Sequence, residues 1–163
     1  GGGPDRRWLE LTDQELLRQC RRDLYQASGP GGQKRNRVYS AVRLTHSPSG
    51  LAATAADSRS AQRNLTTALH RLRRRMALEL RDHGRPPPTA ADLRLSPDHP
   101  RHPLLLAAVA DALHASSFQV APAAAALGLS TGRLVRLLAR DPEAWQWVNA
   151  ERQRRELPPL RRG

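Results

Sequence analysis

The stretch SGPGGQKRNRVYSAVRLT, Ser28 to Thr45, joins a glycine-rich turn to an alternating strand, and the rest of the chain is organised around it. The glycines let the backbone approach a ligand closely, while Pro30 fixes one dihedral angle. Gln33 is a neutral polar side chain, and the basic residues Lys34, Arg35 and Arg37 behind it suit phosphate. The stretch therefore predicts a catalytic or probing tip that enters a nucleic-acid environment.

Alternation and turn chemistry predict a hairpin after the loop. Val38–Thr45 places Val42 and Leu44 on one face and Arg43 on the other, as in a half-buried strand. The turn residues of His46–Gly50 follow, and then a second short strand over residues 51–56. Two strands are not stable alone in water, so a covering element is required.

Upstream of the loop, local signals predict a short helix and a strand. Thr12 and Glu15 have the spacing of a capping box, which predicts a helix from Thr12 to about Cys20. Residues 23–27 then alternate between polar and apolar side chains, which predicts a strand that leads into the loop.

The covering element is predicted to be a helix from about Ser60 to His83, ended by Gly84 and the prolines at 86–88. An apolar stripe follows the helical period through Leu65, Leu69, Leu72, Met76 and Leu80. Six arginines cover much of the remaining surface, namely Arg63, Arg71, Arg73, Arg74, Arg75 and Arg81. They either follow an RNA backbone, which their number favours, or only solvate the helix.

We predict an α+β fold in which a small β-sheet, covered by the long helix, carries the loop and is followed by a helical module. The predicted parts are a loop domain (1–84), a proline-rich linker (85–103), a helical domain (104–150) and a basic tail (151–163). Helices are expected over Leu104–His114, Val120–Leu127 and Thr131–Arg140, with a fourth begun by Asp141 and Pro142.

The second and third helices of this module resemble a helix-turn-helix unit. Ala124 is small where the helices would cross, Gly128 can adopt a left-handed turn, and Leu129, Leu134 and Leu137 occupy packing positions. Nucleic-acid contact through Thr131, Arg133 and Arg136 and a plain Ala/Leu-rich bundle with solvated arginines are equally consistent with the pattern. The arginines of the tail either lie along RNA or form a solvated end.

The charge favours a nucleic-acid partner. The formal net charge is +12, and Lys34 is the only lysine. Because guanidinium groups pair with phosphate and stack on bases, the arginine bias points to nucleic acid, although a GC-rich genome would give the same bias. The single cysteine, Cys20, indicates a reducing cytosol, and His99 and His102 lack further ligands for a metal. We expect a soluble, cytoplasmic monomer without metal, cofactor or membrane segment.

From about Leu24 to Met76 the chain resembles the peptidyl-tRNA hydrolysis domain of class I peptide chain release factors. The tripeptide Gly31-Gly32-Gln33 is weak evidence alone, but further matches follow it at the expected distances. The matching positions are 28–33, Asn36, 40–46, 48–50, Arg59, Ser60, Gln62, Asn64, Ala68 and Leu72.

The resemblance implies that Gly31, Gly32 and Gln33 are catalytic and enter the peptidyl transferase centre of the large ribosomal subunit. There they would promote hydrolysis of the ester of P-site peptidyl-tRNA. Asn36 would brace the loop, and rRNA is the implied partner of the basic residues. The full set of RNA-binding candidates is Lys34, Arg35, Asn36, Arg37, Arg59, Arg63, Arg133, Arg136, Arg152, Arg154 and Arg155.

Release factors that read stop codons carry codon-recognition regions before and after this domain, and only about 27 residues precede the loop here. The chain is therefore more similar to the small codon-independent factors that rescue stalled ribosomes. Those factors usually end in a long basic tail that enters the empty mRNA channel, whereas a helical module and a short tail follow here. The alternative is a non-enzymatic nucleic-acid-binding protein that acts through its helix-turn-helix-like module.

Overall fold

The computed structural model describes residues 6–26, 40–80 and 88–162. The chain divides into two compact units, Gly1–Met76 and Ala77–Gly163. The predicted α+β class is confirmed. The elements are α1 (Asp13–Arg18), β1 (Cys20–Tyr25), β2 (Ala41–His46), β3 (Ala52–Ala55), α2 (Ala61–Glu79), α3 (His102–Ala115), α4 (Val120–Ala126), α5 (Thr131–Ala139) and α6 (Pro142–Arg154), with 3-10 helices at Arg6–Glu10 and Asp92–Arg94.

The first unit contains an antiparallel three-stranded sheet in the order β1-β2-β3. In β2, Val42 and Leu44 are buried and Arg43 is exposed, as the alternation predicted. The turn between β2 and β3 is closed by the Gly50 amide, which donates to the His46 carbonyl at 2.7 Å. The predicted hairpin is therefore confirmed.

The predicted stripe of α2 forms the helical side of this unit's core. Leu65, Leu69, Leu72 and Met76 are all buried, and so are Ala53 and Ala55 of β3. Leu80 lies just past the end of the helix, and the predicted extension to His83 falls partly outside the described residues.

The upstream boundaries differ from the predicted ones. The capping box is present: the Glu15 amide donates to Thr12 Oγ1 at 3.2 Å, and the Thr12 amide donates to Glu15 Oε1 at 3.1 Å. However, α1 ends at Arg18, and β1 begins at Cys20 rather than at residue 23. Pairing of Cys20 with His46, far away in the sequence, decides this start.

Three arginines of α2 brace the first unit. For these three, neither predicted alternative is right, since they neither face solvent freely nor are available to RNA. Arg73 is only 9% exposed, and its guanidinium donates to the carbonyls of Leu9 (3.0 Å) and Leu11 (2.7 Å) and to Asp13 (2.9 Å). Arg71 and Arg75 donate to main-chain carbonyls of β3. These guanidinium groups satisfy backbone acceptors within the protein.

The second unit is helical among its described residues. Gly128 takes the left-handed conformation (φ +72°), and Leu129, Leu134 and Leu137 are buried as predicted. The side chains of Ser130 and Asp141 accept bonds from the first-turn amides of α5 and α6 and so cap these helices.

The end of the chain is held against α6. The helix continues to Arg154, beyond the predicted limit of residue 150. The Leu157 amide donates to the carbonyl of Arg152 at 2.9 Å, and the Leu160 amide donates to Asn149 Oδ1 at 2.7 Å. The predicted tail therefore begins inside a helix and folds back on it.

Candidate functional site

The predicted loop residues lie outside the described part of the chain. These are the catalytic candidates Gly31, Gly32 and Gln33 and the basic and amide residues Lys34, Arg35, Asn36 and Arg37. The structure describes instead the residues on both sides of this segment. We call them the frame: the paired strand ends Tyr25 and Ala41, and the residues Ser40, Ser58 and Asn64 next to them.

The frame begins with a pair of neighbouring strands. Tyr25, the last residue of β1, pairs with Ala41, the first residue of β2. The segment that contains the three catalytic candidates therefore connects the adjacent ends of two neighbouring strands. Leu24 lies just before this segment. At 54% exposure, it is the most exposed large apolar residue among the described residues.

Asn64 of α2 holds the point where the chain re-enters β2. Its side chain is 1% exposed. The amide nitrogen donates to the carbonyls of Ser40 (2.7 Å) and Ser58 (2.8 Å), and Oδ1 accepts from the Ser58 amide at 3.0 Å. The Ser40 hydroxyl also donates to the Ser58 carbonyl at 3.2 Å. This network fixes Ser40, the residue directly before β2, to the start of α2.

His46 fixes the opposite end of β2. Its Nε2 lies 2.7 Å from Gln19 Oε1, and its Nδ1 lies 2.7 Å from Ser49 Oγ. Because the amide oxygen can only accept, the ring proton is on Nε2, and the Ser49 hydroxyl donates to Nδ1. Trp8 packs edge-on against the ring, with centroids 4.6 Å apart. Burial lowers the pKa of His46, so the neutral ring is the stable form.

The RNA-binding candidates Arg59 and Arg63 are both exposed beside this frame. Arg59 precedes α2, and Arg63 lies in its first turn. Neither guanidinium makes a hydrogen bond or ion pair within the described residues. Both are therefore available to an external anion.

The arginines of the second unit fall into two groups. Arg133 and Arg136 of α5 are exposed and line a concavity. Arg154 and Arg155 pair with Glu151, and Arg155 also lies 4.3 Å from the centroid of the Phe118 ring.

Arg152 is wrong as an RNA-binding candidate, because its side chain is committed inside the protein. The residue is 8% exposed. Its guanidinium donates to the carbonyls of Phe118 (2.7 Å) and Pro158 (2.9 Å). It thereby joins the turn between α3 and α4 to the end of the chain.

The described residues contain no group of three or more His, Cys, Asp or Glu side chains that could hold a metal ion. None of the helices in the described ranges is long and apolar enough to cross a membrane.

Together, the sheet, the frame and the loop sequence define a release-factor domain: the RF-1 domain family matches residues 13–94, half of the chain, and the chain belongs to this family. Peptide chain release factor 1 of Novosphingobium aromaticivorans is 44% identical over 73 residues, which cover 45% of this chain and 20% of that protein. The factor of the same name from Erythrobacter litoralis is 38% identical over 88 residues (54% and 24%). Peptide chain release factor 2 of Campylobacter lari is 41% identical over 68 residues (42% and 18%). The chain spans about a fifth of the length of these relatives.

Sequence reasoning did not identify the bracing roles of Asn64 and Gln19. Asn64 carried a signal, because it belongs to the spaced residues that match release factors, but its role as a brace did not follow from that match. Gln19 carried no signal, because its contact with His46 joins residues that are distant in the sequence.

Proposed function

We propose that this chain hydrolyses the ester of peptidyl-tRNA on the ribosome without reading a stop codon. The observation that carries the proposal is the RF-1 domain match together with the GGQ tripeptide inside it. The frame supports it, because the pairing of Tyr25 with Ala41 and the anchoring of Ser40 by Asn64 hold together the two strand ends between which the tripeptide lies in the sequence.

In the proposed reaction, a water oxygen attacks the carbonyl carbon of the ester between peptide and ribose. The bond to the ribose oxygen breaks, that oxygen takes a proton, and the peptide leaves as a carboxylic acid. Negative charge develops on the carbonyl oxygen, and the backbone N–H of Gln33 is the proposed donor to it. The uncharged Gln33 side chain would place the attacking water, and Gly31 and Gly32 would permit close approach.

The basic residues would position this tip rather than react. Lys34, Arg35 and Arg37 would neutralise rRNA phosphates in the large subunit, and Asn36 would brace the loop. Arg59 and Arg63 are exposed beside the frame and would extend this contact. Action on the ribosome would be consistent with a cytoplasmic location, which we propose for this protein.

Stop-codon independence is proposed from the segment that follows the release-factor domain. Factors that read codons carry a recognition region there. In this chain, the segment after the release-factor domain contains the helices α3 to α6 instead. We propose that this helical unit, with Arg133, Arg136, Arg154 and Arg155, docks on rRNA or in the mRNA channel.

Release of a labelled peptide from purified ribosomes tests the proposal. Ribosomes stalled on mRNA truncated in the P site are compared with ribosomes that hold a sense codon or a stop codon in the A site. We expect release from the truncated complexes and no specific acceleration by the stop codon. Release that requires the stop codon would contradict codon independence, and release that is unchanged in Gly32→Ala would contradict the catalytic role of the loop.

A further inference from the structure

A concavity of about 380 Å³ lies within the second unit, between α5 and the 3-10 helix Asp92–Arg94. Its floor is apolar: Leu129 and Leu137 are 8% and 5% exposed, and Leu93 is half-buried. Its rim is basic, and the charged side chains that line it among the described residues are all arginines. These residues are Arg94, Arg133, Arg136 and Arg140.

The guanidinium groups of the four rim arginines are not engaged by any other described residue. Within the described ranges, none of their guanidinium groups makes a hydrogen bond or an ion pair. Other arginines of the same unit are engaged: Arg101 pairs with Asp92, and Arg155 pairs with Glu151. All four rim residues are exposed.

Spacing brings three of these charges to one helix face. Arg133, Arg136 and Arg140 follow one another at three and four positions along α5 and its C-cap. Like charges at this spacing on a helix repel one another. An anionic ligand in the concavity would remove that repulsion, so charge complementarity favours a ligand with several negative charges.

Gly132 leaves room for one of the guanidinium groups. A Cβ atom built at Gly132 would lie 3.3 Å from Nη1 of Arg136, which is closer than ordinary van der Waals contact. The Arg136 side chain therefore folds back over the first turn of α5, and an alanine at position 132 would shift its guanidinium group by a few tenths of an ångström without removing a charge.

We propose that this concavity binds single-stranded RNA, with one unstacked base over the leucines and the flanking phosphates on the arginines. A cavity of this size is at the lower end of the range for small ligands and accommodates one base but no duplex. Planar guanidinium groups pair with carboxylates as well as with phosphates, but only a nucleic acid also offers bases on which they can stack. The choice of RNA rests on the proposed function, since a ribosome-bound protein is surrounded by RNA.

Fluorescence anisotropy with the full chain and no ribosomes tests this site. The probes are a labelled single-stranded RNA octamer and a blunt RNA duplex of the same length. Because base stacking adds to the phosphate contacts, we expect the octamer to bind roughly tenfold more tightly than the duplex. Arg133→Gln/Arg136→Gln should abolish most of this preference, and the slope of log K against log salt for the octamer should fall by about 1.4.

Two further variants separate the site from general charge. Arg18→Gln/Arg22→Gln removes the same charge from exposed positions of the first unit and should keep the preference for single strands. Gly132→Ala keeps the net charge and shifts only the Arg136 guanidinium, so it should reduce the preference less than Arg133→Gln/Arg136→Gln does.

Three results would overturn the proposal. These are equal affinity of the wild-type chain for octamer and duplex, an unchanged preference in Arg133→Gln/Arg136→Gln, and tighter arginine-dependent binding of a Glu/Leu-rich peptide. Because the octamer assay contains no ribosome, a wild-type chain that shows no preference for the octamer but releases peptide normally would contradict only this site. Absent peptide release with an intact RNA preference would contradict only the proposed hydrolysis.

Discussion

Replacing Asn64 with alanine removes the side chain that joins Ser40, the residue before β2, to Ser58 and the start of α2. Three hydrogen bonds are lost, at 2.7, 2.8 and 3.0 Å, to two carbonyls and one amide of Ser40 and Ser58. A neutral hydrogen bond contributes about 0.5–1.5 kcal/mol net, so the three together contribute roughly 1.5–4.5 kcal/mol. Because the Ser58 carbonyl keeps its bond from the Ser40 hydroxyl, we expect the free energy of unfolding to fall by about 2–3 kcal/mol.

Urea unfolding followed by circular dichroism measures this loss. The matched control is Gln62→Ala on the same helix, since the Gln62 side chain is exposed and makes no hydrogen bond within the described residues. The control should change the free energy of unfolding by less than about 0.5 kcal/mol. If Asn64→Ala also lowers the free energy of unfolding by less than about 0.5 kcal/mol, Asn64 is not the brace.

The isosteric change Asn64→Asp tests the same site by pH. The new carboxylate would keep the bond from the Ser58 amide but would face two carbonyl oxygens, which raises its pKa above the unfolded value. The folded state then binds more protons than the unfolded state, so the variant should gain stability relative to wild type as the pH falls from 7 to 5.

Peptide release by both Asn64 variants should also fall at temperatures where they remain folded, because Ser40 loses its anchor.

Three further predictions concern the rest of the fold. Burial lowers the pKa of His46 below its unfolded value, so the stability from its neutral form is fully present above about pH 6.5 and is lost as the pH falls through the folded pKa; the advantage of wild type over His46→Gln in urea should therefore shrink between pH 7.5 and 5. Arg152→Met removes donors to two main-chain carbonyls and should lower the free energy of unfolding by about 1–3 kcal/mol, whereas Arg154→Met, which removes one exposed ion pair, should cost less than about 0.5 kcal/mol; equal losses would contradict the bracing role. Gly128→Ala meets no atom within 4 Å but must adopt a φ of +72°, so thermal unfolding should show a loss of about 1–2 kcal/mol, and an unchanged Tm would contradict a backbone cost.

Signals that act over a few residues predicted much of the fold. The capping box of Thr12 and Glu15, the hairpin between β2 and β3, the apolar stripe of α2 and the left-handed turn at Gly128 all depend on neighbours in the sequence. Periodicity also predicted that Leu65, Leu69 and Leu72 are buried, because one face of the helix must pack against the rest of its unit. At the end of the stripe the prediction was wrong, since Leu78 is buried and Leu80 is only half-buried.

Contacts between distant residues could not be predicted in this way. The start of β1 depends on the pairing of Cys20 with His46, and the burial of Arg73 depends on carbonyls of Leu9 and Leu11. An arginine pattern cannot distinguish guanidinium groups that brace a backbone from those that face solvent. For this reason Arg152 was predicted to bind RNA, whereas Arg94 and Arg140, which line the concavity, were not singled out.

The catalytic candidates Gly31, Gly32 and Gln33 were predicted from sequence alone, and their arrangement lies outside the described residues. The spacing of matching residues indicated the resemblance to release factors, while the contacts of Asn64 with Ser40 and Ser58 show how the chain is fixed where it enters β2.

The most direct test of ester hydrolysis by the loop is the rate of single-turnover peptide release from ribosomes stalled on truncated mRNA, compared among wild type, Gln33→Ala and Gln33→Pro. Alanine keeps the backbone N–H at position 33, whereas proline removes it. If this N–H stabilises the developing oxyanion, Gln33→Pro should release peptide about 10²–10³-fold more slowly than Gln33→Ala. Equal rates for the two variants, or release by Gln33→Pro at the wild-type rate, would contradict the proposed chemistry.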